Sequence, residues 1–216
     1  MAESVISNIS HLGSFSDIDK QTRIYRSGDA ATGFFYILEG MVGLYGLNEQ
    51  GKERLLRIYK EGNFFGYRSL FTGQNYYASP VAMTDCRIGY FSIRDLKQLR
   101  DLDVTLADVL MRSVCEELGE AENRWVELNS HPVGVRVMDA ILFLFANFPQ
   151  YNWTYREIGE YSGSETSTVI RFCKRLKEHG FLCPESRKVK PLDFEKLRNA
   201  RNHYLLSQTL LMSETR

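Results

Sequence analysis

The stretch from Trp153 to Leu182, WTYREIGEYSGSETSTVIRFCKRLKEHGFL, constrains this chain more tightly than any other part of it. It holds two short amphipathic helical patterns joined by a Ser-Gly-Ser turn. Thr154 is a hydroxyl residue suited to N-capping and Glu157 stands three positions later, so a capping box opens the first helix, predicted over 155–162. Ile158 and Tyr161 are its inward residues, and Gly159 lets another backbone come close. Gly163 supplies the permissive turn and Ser164 a second cap. The second helix is predicted over 165–179, closed by Gly180. Val169, Phe172, Cys173 and Leu176 recur at helical spacing and face inward. Thr166, Ser167, Ile170, Arg171, Lys174 and Lys177 fall largely on the other side.

Two helices meeting at a tight turn, the second with cations off its apolar stripe, have the layout of a helix-turn-helix. Such a unit can set its second helix in the major groove of DNA, where each base pair shows a distinct pattern of donors and acceptors. An ordinary helical hairpin with a solvated basic face has the same spacing. The residues that follow favour the first reading: Cys183-Pro184-Glu185-Ser186-Arg187-Lys188-Val189-Lys190-Pro191 is turn-rich with a short basic strand, and predicts a β-hairpin wing. Arg187, Lys188 and Lys190 are placed to touch phosphate, a contact that positions without reading sequence.

A formal net charge of zero argues against a nucleic-acid partner only until it is divided. Residues 1–150 carry 15 Lys and Arg against 19 Asp and Glu, net −4, whereas residues 151–216 carry 12 against 8, net +4. The basic excess therefore coincides with the helix-turn-helix. Cys86, Cys115, Cys173 and Cys183 form no C-x-x-C pair, so no metal site is expected. Cys173 and Cys183 flank the second helix and read either as a redox pair or, preferably, as buried inert thiols. The start MAESVISNIS lacks the features of a signal peptide, and the apolar run 141–146 is too short to span a bilayer, which predicts a cytoplasmic chain without a membrane contact.

From Thr22 to Phe91 the texture is different. Segments 34–38, 41–45, 55–59 and 87–91 are aromatic and β-branched, and ten of the 16 glycines lie between Gly28 and Gly89, which predicts a compact β-barrel or sandwich. Residues 48–51 and 60–63 mark two loops. Beyond Ser92 the period becomes helical: Leu99, Leu102, Leu106, Leu110, Val114, Leu118, Ala121, Trp125 and Leu128 follow one seam, whose edge Glu116 and Glu117 interrupt. A helix over 101–128 would be roughly 42 Å long at about 1.5 Å per residue, more than a small β-domain covers. A second copy along Leu102, Leu106, Leu110, Val114, Leu118, Ala121 and Trp125 is the favoured cover, and a helix folded back on its own barrel is the alternative. Asn129-Ser130-His131-Pro132 predicts a hinge, with Pro132 in the first turn of the next helix.

The order of these parts resembles the CRP/FNR family of bacterial transcription regulators. The resemblance rests on Arg26-Ser27-Gly28-Asp29, Tyr36-Ile37-Leu38-Glu39-Gly40, Gly51-Lys52-Glu53, Gly62-Asn63-Phe64-Phe65-Gly66 and the helix-turn-helix itself. It implies an α+β fold: a β-roll sensor of the cyclic-nucleotide-binding type (a double-stranded β-helix) over 1–100, a dimerisation helix over 101–128, a hinge over 129–132 and a winged helix-turn-helix over 133–216. The family's cyclic-nucleotide binders carry a Gly-Glu pair for the ribose and an Arg-Ser pair followed by Ala for the phosphate. Here Gly66-Tyr67-Arg68 and Tyr76-Tyr77-Ala78 stand instead, so the ribose acceptor and the phosphate cation are both missing. A cyclic phosphate buried without its cation loses its charge-assisted bonds, which argues against cyclic AMP. Gly66, Tyr67, Arg68, Tyr76 and Tyr77 then line a pocket for a different small-molecule effector, or the tyrosines fill it.

The cysteine cluster of iron-sulfur members does not occur before Cys86, and His11, His131, His179 and His203 offer no haem motif, so no cofactor is expected. On the second helix the resemblance puts Arg171 on a base edge, with Ser167 where glutamate is common, Thr166 and Thr168 beside them, and Lys174 on phosphate; Thr154 joins this DNA-facing set. The implied partners are double-stranded DNA, a second copy of the chain and RNA polymerase. A regulatory module that acts through protein partners is the competing reading. An enzyme is disfavoured, because the chain has no Walker loop, nucleophile elbow, zinc spacing or concentrated acid-base pair.

Overall fold

Alternating apolar residues and tight glycine loops build two antiparallel sheets in the N-terminal part of the chain. The computed structural model describes residues 9–93 and 95–213, leaving aside the side chains of residues 102, 104 and 206–213. One sheet has the order β1-β7-β2-β5 and the other β4-β3-β6, with β1 Ser14–Ile18, β2 Phe34–Glu39, β3 Met41–Leu47, β4 Glu53–Lys60, β5 Phe64–Phe65, β6 Ser79–Ala82 and β7 Cys86–Phe91. The four expected strands lie inside β2, β3, β4 and β7. The 48–51 loop turns β3 into β4, with the Asn48 side chain accepting from Gln50 N and Lys52 N and Gly51 at φ +72°. Pro80 is tolerated because β6 pairs with one named strand, β3, and on its other side only bridges to Arg23, where Pro80 accepts from Ile24 N and has no N–H to give.

A short helix α1, Arg68–Thr72, interrupts the strands, and α2, Leu96–Leu102, follows them. The expected helix over 101–128 does not start at 101. It is a separate element, α3, Val104–Ser130, divided from α2 at Asp103. Asp103 has an extended backbone and its carboxylate accepts from Thr105 N (2.7 Å) and Leu106 N (3.2 Å), which stops one helix and caps the next.

The C-terminal part contains α4 Val133–Asn147, α5 Tyr155–Ser162, α6 Thr166–Glu178 and α7 Phe194–Ser213. Pro132 is the N-cap of α4, one place earlier than expected, and α3 runs through Asn129 and Ser130, so the break is confined to His131 and Pro132. Compact packing separates residues 1–120 from residues 121–216. In the first unit, Phe34, Tyr36, Phe64, Tyr67 and Phe91 share a core with Leu99, Leu106 and Leu110. In the second, Trp153, Ile158, Val169, Cys173, Leu182 and Leu197 are buried. There Arg201 of α7 donates to both carboxylate oxygens of Asp139 on α4, at 2.7 and 3.0 Å.

Candidate nucleic-acid interface and sensor pocket

In the second unit, local chemistry sets the helix-turn-helix. The Thr154 hydroxyl accepts from Glu157 N (3.2 Å), while the Glu157 carboxylate accepts from Thr154 N (2.8 Å), completing the capping box that starts α5. The Thr154 hydroxyl also donates to Glu157, so the exposed Thr154 has its hydroxyl engaged in the cap. Gly163 turns the chain at φ +62°. A Cβ on Gly159 would stand 2.8 Å from the Ser164 carbonyl oxygen, too close for any side chain, so that glycine fixes how tightly the turn folds back on α5.

Two arginines hold the C-terminal carbonyls of α5. Arg124 donates to Tyr161 O at 2.5 Å with its guanidinium 3.9 Å above the Tyr161 ring, and Arg136 donates to Ser162 O and Gly163 O. These carbonyls have no intrahelical partners, and cations there also match the negative end of the helix dipole. Burial holds the Arg136 pKa below the usual arginine range. Sequence spacing gave no signal for either contact.

The second helix starts one residue later than expected. Glu165 is its N-cap without a side-chain capping bond, and buried Ser164 donates instead to Ser162 O. Val169, Cys173 and Leu176 are buried, with Phe172 half-buried against Tyr204. The opposite arc presents Ser167, Ile170, Arg171, Lys174 and Arg175 to solvent, while Thr166 and Thr168 are half-buried beside it. Arg171 donates to Thr168 Oγ1 at 3.3 Å, which steadies the guanidinium without covering it. Lys177 leaves this arc, because its ammonium donates to Ser186 O at 2.6 Å.

The expected hairpin wing has no ladder. Leu182 and Pro191 form a single antiparallel bridge, supported by Cys183 N donating to Lys190 O at 2.9 Å, and a loop lies between. Pro184 and Pro191 have no N–H to donate, which limits pairing to this closure. Buried Val189 anchors the loop and leaves Arg187 and Lys188 exposed.

In the first unit the structure divides the five pocket residues. Tyr67 is 1% exposed and belongs to the core, where its hydroxyl donates to the Glu117 carboxylate at 2.6 Å. Tyr76 is buried, stacked on Tyr25 at 3.8 Å between centroids, and donates to Gly33 O at 2.7 Å. Gly66, at φ +81°, lies against Phe35 and Tyr25. Tyr77 is 61% exposed and exposed Arg68 sits over its ring at 4.8 Å, so these two face outward.

Glu117, an acidic interruption of the apolar seam in the sequence, thus meets the Tyr67 hydroxyl. Arg57 pairs with it at 3.7 Å, donates to its backbone carbonyl at 2.8 Å and also bridges to Glu120. Burial raises the Glu117 pKa, against the opposing pull of the Tyr67 hydrogen bond and the Arg57 and Arg68 charges. Burial likewise pushes the Tyr25, Tyr59 and Tyr67 hydroxyls far above the usual phenol range, so they remain neutral donors. At the two positions expected to hold the phosphate, Tyr76 is buried with its hydroxyl on Gly33 O and Tyr77 is exposed beneath Arg68, while Tyr67, at the position expected to hold the ribose, is closed on Glu117.

The seam of α3 also divides. Leu106 and Leu110 are fully buried in the core of their own unit and Val114 packs against it, so the first two are not contacts for a second copy. The helix folded back on its own barrel therefore describes this half. The Leu102 side chain lies outside the described residues. Leu118, Ala121 and Trp125 are exposed, Trp125 by 68%, and Met111 joins them at seven-residue spacing. All four cysteines are free: Cys173 is buried with its thiol pKa pushed up to about 12 by burial, Cys183 is half-buried and Cys115 is exposed. Among the described residues no cluster of His, Cys, Asp or Glu could hold a metal ion, and no helix is long and apolar enough to cross a membrane.

Comparison with known proteins gives a class first. Residues 16–103 match the cyclic nucleotide-binding domain family. Over 87% of its length the chain is similar in fold to FixK2 from Bradyrhizobium japonicum (TM-score 0.72, 22% identity, 96% of that chain covered). It is likewise similar in fold to TTHA1359, a CRP/FNR-family transcriptional regulator from Thermus thermophilus (TM-score 0.71, 24% identity, 88% of this chain and 98% of that one). Among curated relatives, the cAMP-activated global transcriptional regulator CRP of Pasteurella multocida is 27% identical over 180 residues, covering 79% of this chain and 85% of its own. An uncharacterised protein of Haemophilus influenzae is 34% identical over 71 residues, and the chain spans 55% of its length. The chain is thus similar to CRP over 79% of its length, and it shares the fold of structures that include a CRP/FNR-family regulator.

Proposed function

We propose that this protein is a cytoplasmic, homodimeric transcription regulator that reads a near-palindromic DNA site, has no enzymatic activity, and has a sensor domain occupied by its own tyrosines. The observation that carries the reading is the outer arc of α6, where Ser167 and Arg171 stand open beside Lys174 on a helix whose other face is buried. Arg171 pairs bidentately with guanine, Ser167 accepts or donates at a neighbouring base, and Thr166 and Thr168 flank them. Lys174, Arg187 and Lys188 hold phosphates. Leu118, Ala121 and Trp125 with Met111 give the exposed apolar strip on which a second copy packs, in place of Leu106 and Leu110. Two copies then present α6 to half-sites about one helical turn apart. RNA polymerase is the further partner this reading implies.

Duplexes selected by the protein from a random pool supply the test. Arg171→Ala should weaken binding to the selected site by about 1–3 kcal/mol per half-site and relax one base position. An equal loss on random DNA refutes base reading by Arg171. Failure to retain any duplex at low salt favours a module that acts through protein partners. Sedimentation of the protein with its selected site checks the dimer, and a single protomer on that site refutes it.

A further inference from the structure

The outer arc of α6 is polar except at one place. Ile170 is 48% exposed, although Val169, Cys173 and Leu176 on the same helix are buried. It is the fifth residue of α6, within the half that a recognition helix turns toward base edges. On the helix surface its neighbours three and four positions away are Thr166, Ser167, Lys174 and the buried Cys173, with Arg171 next in sequence. An apolar side chain thus sits among the hydroxyls and cations proposed to meet DNA. A β-branched residue forms helix less readily than alanine, and about half of this one stays in water.

We propose that Ile170 is a specificity-determining residue that reads thymine by its C5-methyl group. The inference rests on the DNA-reading role of α6 proposed above. The edges of the major groove are hydrogen-bond donors and acceptors except for the thymine methyl. An isoleucine pressed against an amino group, N7 or O6 would strip water from a polar atom and return no partner. Against a thymine methyl, both surfaces are apolar and the contact is favourable. The same side chain therefore selects thymine and disfavours cytosine, whose C5 carries only hydrogen. Its polar neighbours on the arc fix the register: Arg171 and Ser167 engage adjacent bases and Lys174 a phosphate, so the apolar contact occupies one position in each half-site.

Replacing thymine by deoxyuridine deletes the methyl and leaves every hydrogen-bonding group in place, which isolates this contact. Wild-type protein and Ile170→Ala are titrated against the site selected by the wild type, with each thymine exchanged in turn for deoxyuridine. At one symmetric position the exchange should weaken the wild type about fourfold per half-site and about 15-fold in both. Ile170→Ala should bind the thymine site more weakly than wild type and be indifferent to the exchange there, whereas Ile170→Val keeps the discrimination. Alanine is the better helix former, so misfolding does not account for the loss, and an unchanged melting temperature checks this. Selective binding by wild type with no sensitivity to deoxyuridine at any position overturns the inference and leaves α6 a DNA reader. Sensitivity that persists in Ile170→Ala assigns the methyl to another residue. Absence of any selected sequence removes the DNA reading itself, and this inference with it.

Discussion

The two units use aromatic and polar side chains in opposite ways. In the N-terminal unit the phenols of Tyr67 and Tyr76 are turned inward, their hydroxyls closed on Glu117 and Gly33. In the C-terminal unit Ser167, Arg171 and Lys174 are turned outward on a helix whose buried face is apolar. A buried polar group must find its partner inside the protein, so the first unit resembles a site already filled; the second keeps its partners' places open. Positions expected to line a pocket are largely packing here, while the outer arc of α6 leaves its hydroxyls and cations in water.

The largest expected effect tests the filled site. Tyr67→Ala should destabilise the N-terminal unit by about 3–5 kcal/mol, because it removes a buried ring and leaves a cavity. Phenol added to that variant should raise its melting temperature and leave the wild type unmoved. A loss below about 1 kcal/mol in denaturant titrations would contradict the packing role.

A smaller effect concerns Glu117. Burial raises its pKa, so the folded unit holds that proton to higher pH than the unfolded chain does. Stability should therefore fall as pH rises from the ordinary carboxylate range through the folded pKa, and level off above it. Glu117→Gln should flatten that part of the profile, and an identical profile in the variant would rule Glu117 out as its source.

The smallest effect belongs to the exposed side. Lys188→Ala should weaken binding to all sequences alike and reduce the slope of log affinity against log salt by about one. The Tyr67→Ala loss, in contrast, should be indifferent to salt, as it comes from packing and not from screened charge. A change at Lys188 confined to one base position would reverse its assignment to phosphate.

Much of this was legible because local signals wrote it. The capping box at Thr154 and Glu157 and the positive φ at Gly163 bound α5 in the sequence as they do in the structure. Strands β2, β3, β4 and β7 announced themselves by apolar runs between glycines. Strand β1 did not, because Ser14–Ile18 is an edge strand with little buried surface, and β6 was hidden by Pro80. The period of α3 was visible, but periodicity alone does not say what covers a face, so Leu106 and Leu110 were assigned to a second copy although they close their own core. The contacts of Arg124 and Arg136 with the end of α5 span 37 and 26 residues and leave no mark at short range. Glu117 did leave one, as an acid at the edge of an apolar seam, and its partner Tyr67 gives the reason.

Gly159 has a wider consequence. The missing methyl there lets the turn close against α5, so the direction in which α6 projects depends on a buried position off its outer arc. Aim and vocabulary are thereby separated. Residues on the outer arc can be exchanged for others, and new sites acquired, without retuning the hinge that points them, whereas the smallest side chain at 159 would swing every one of them at once.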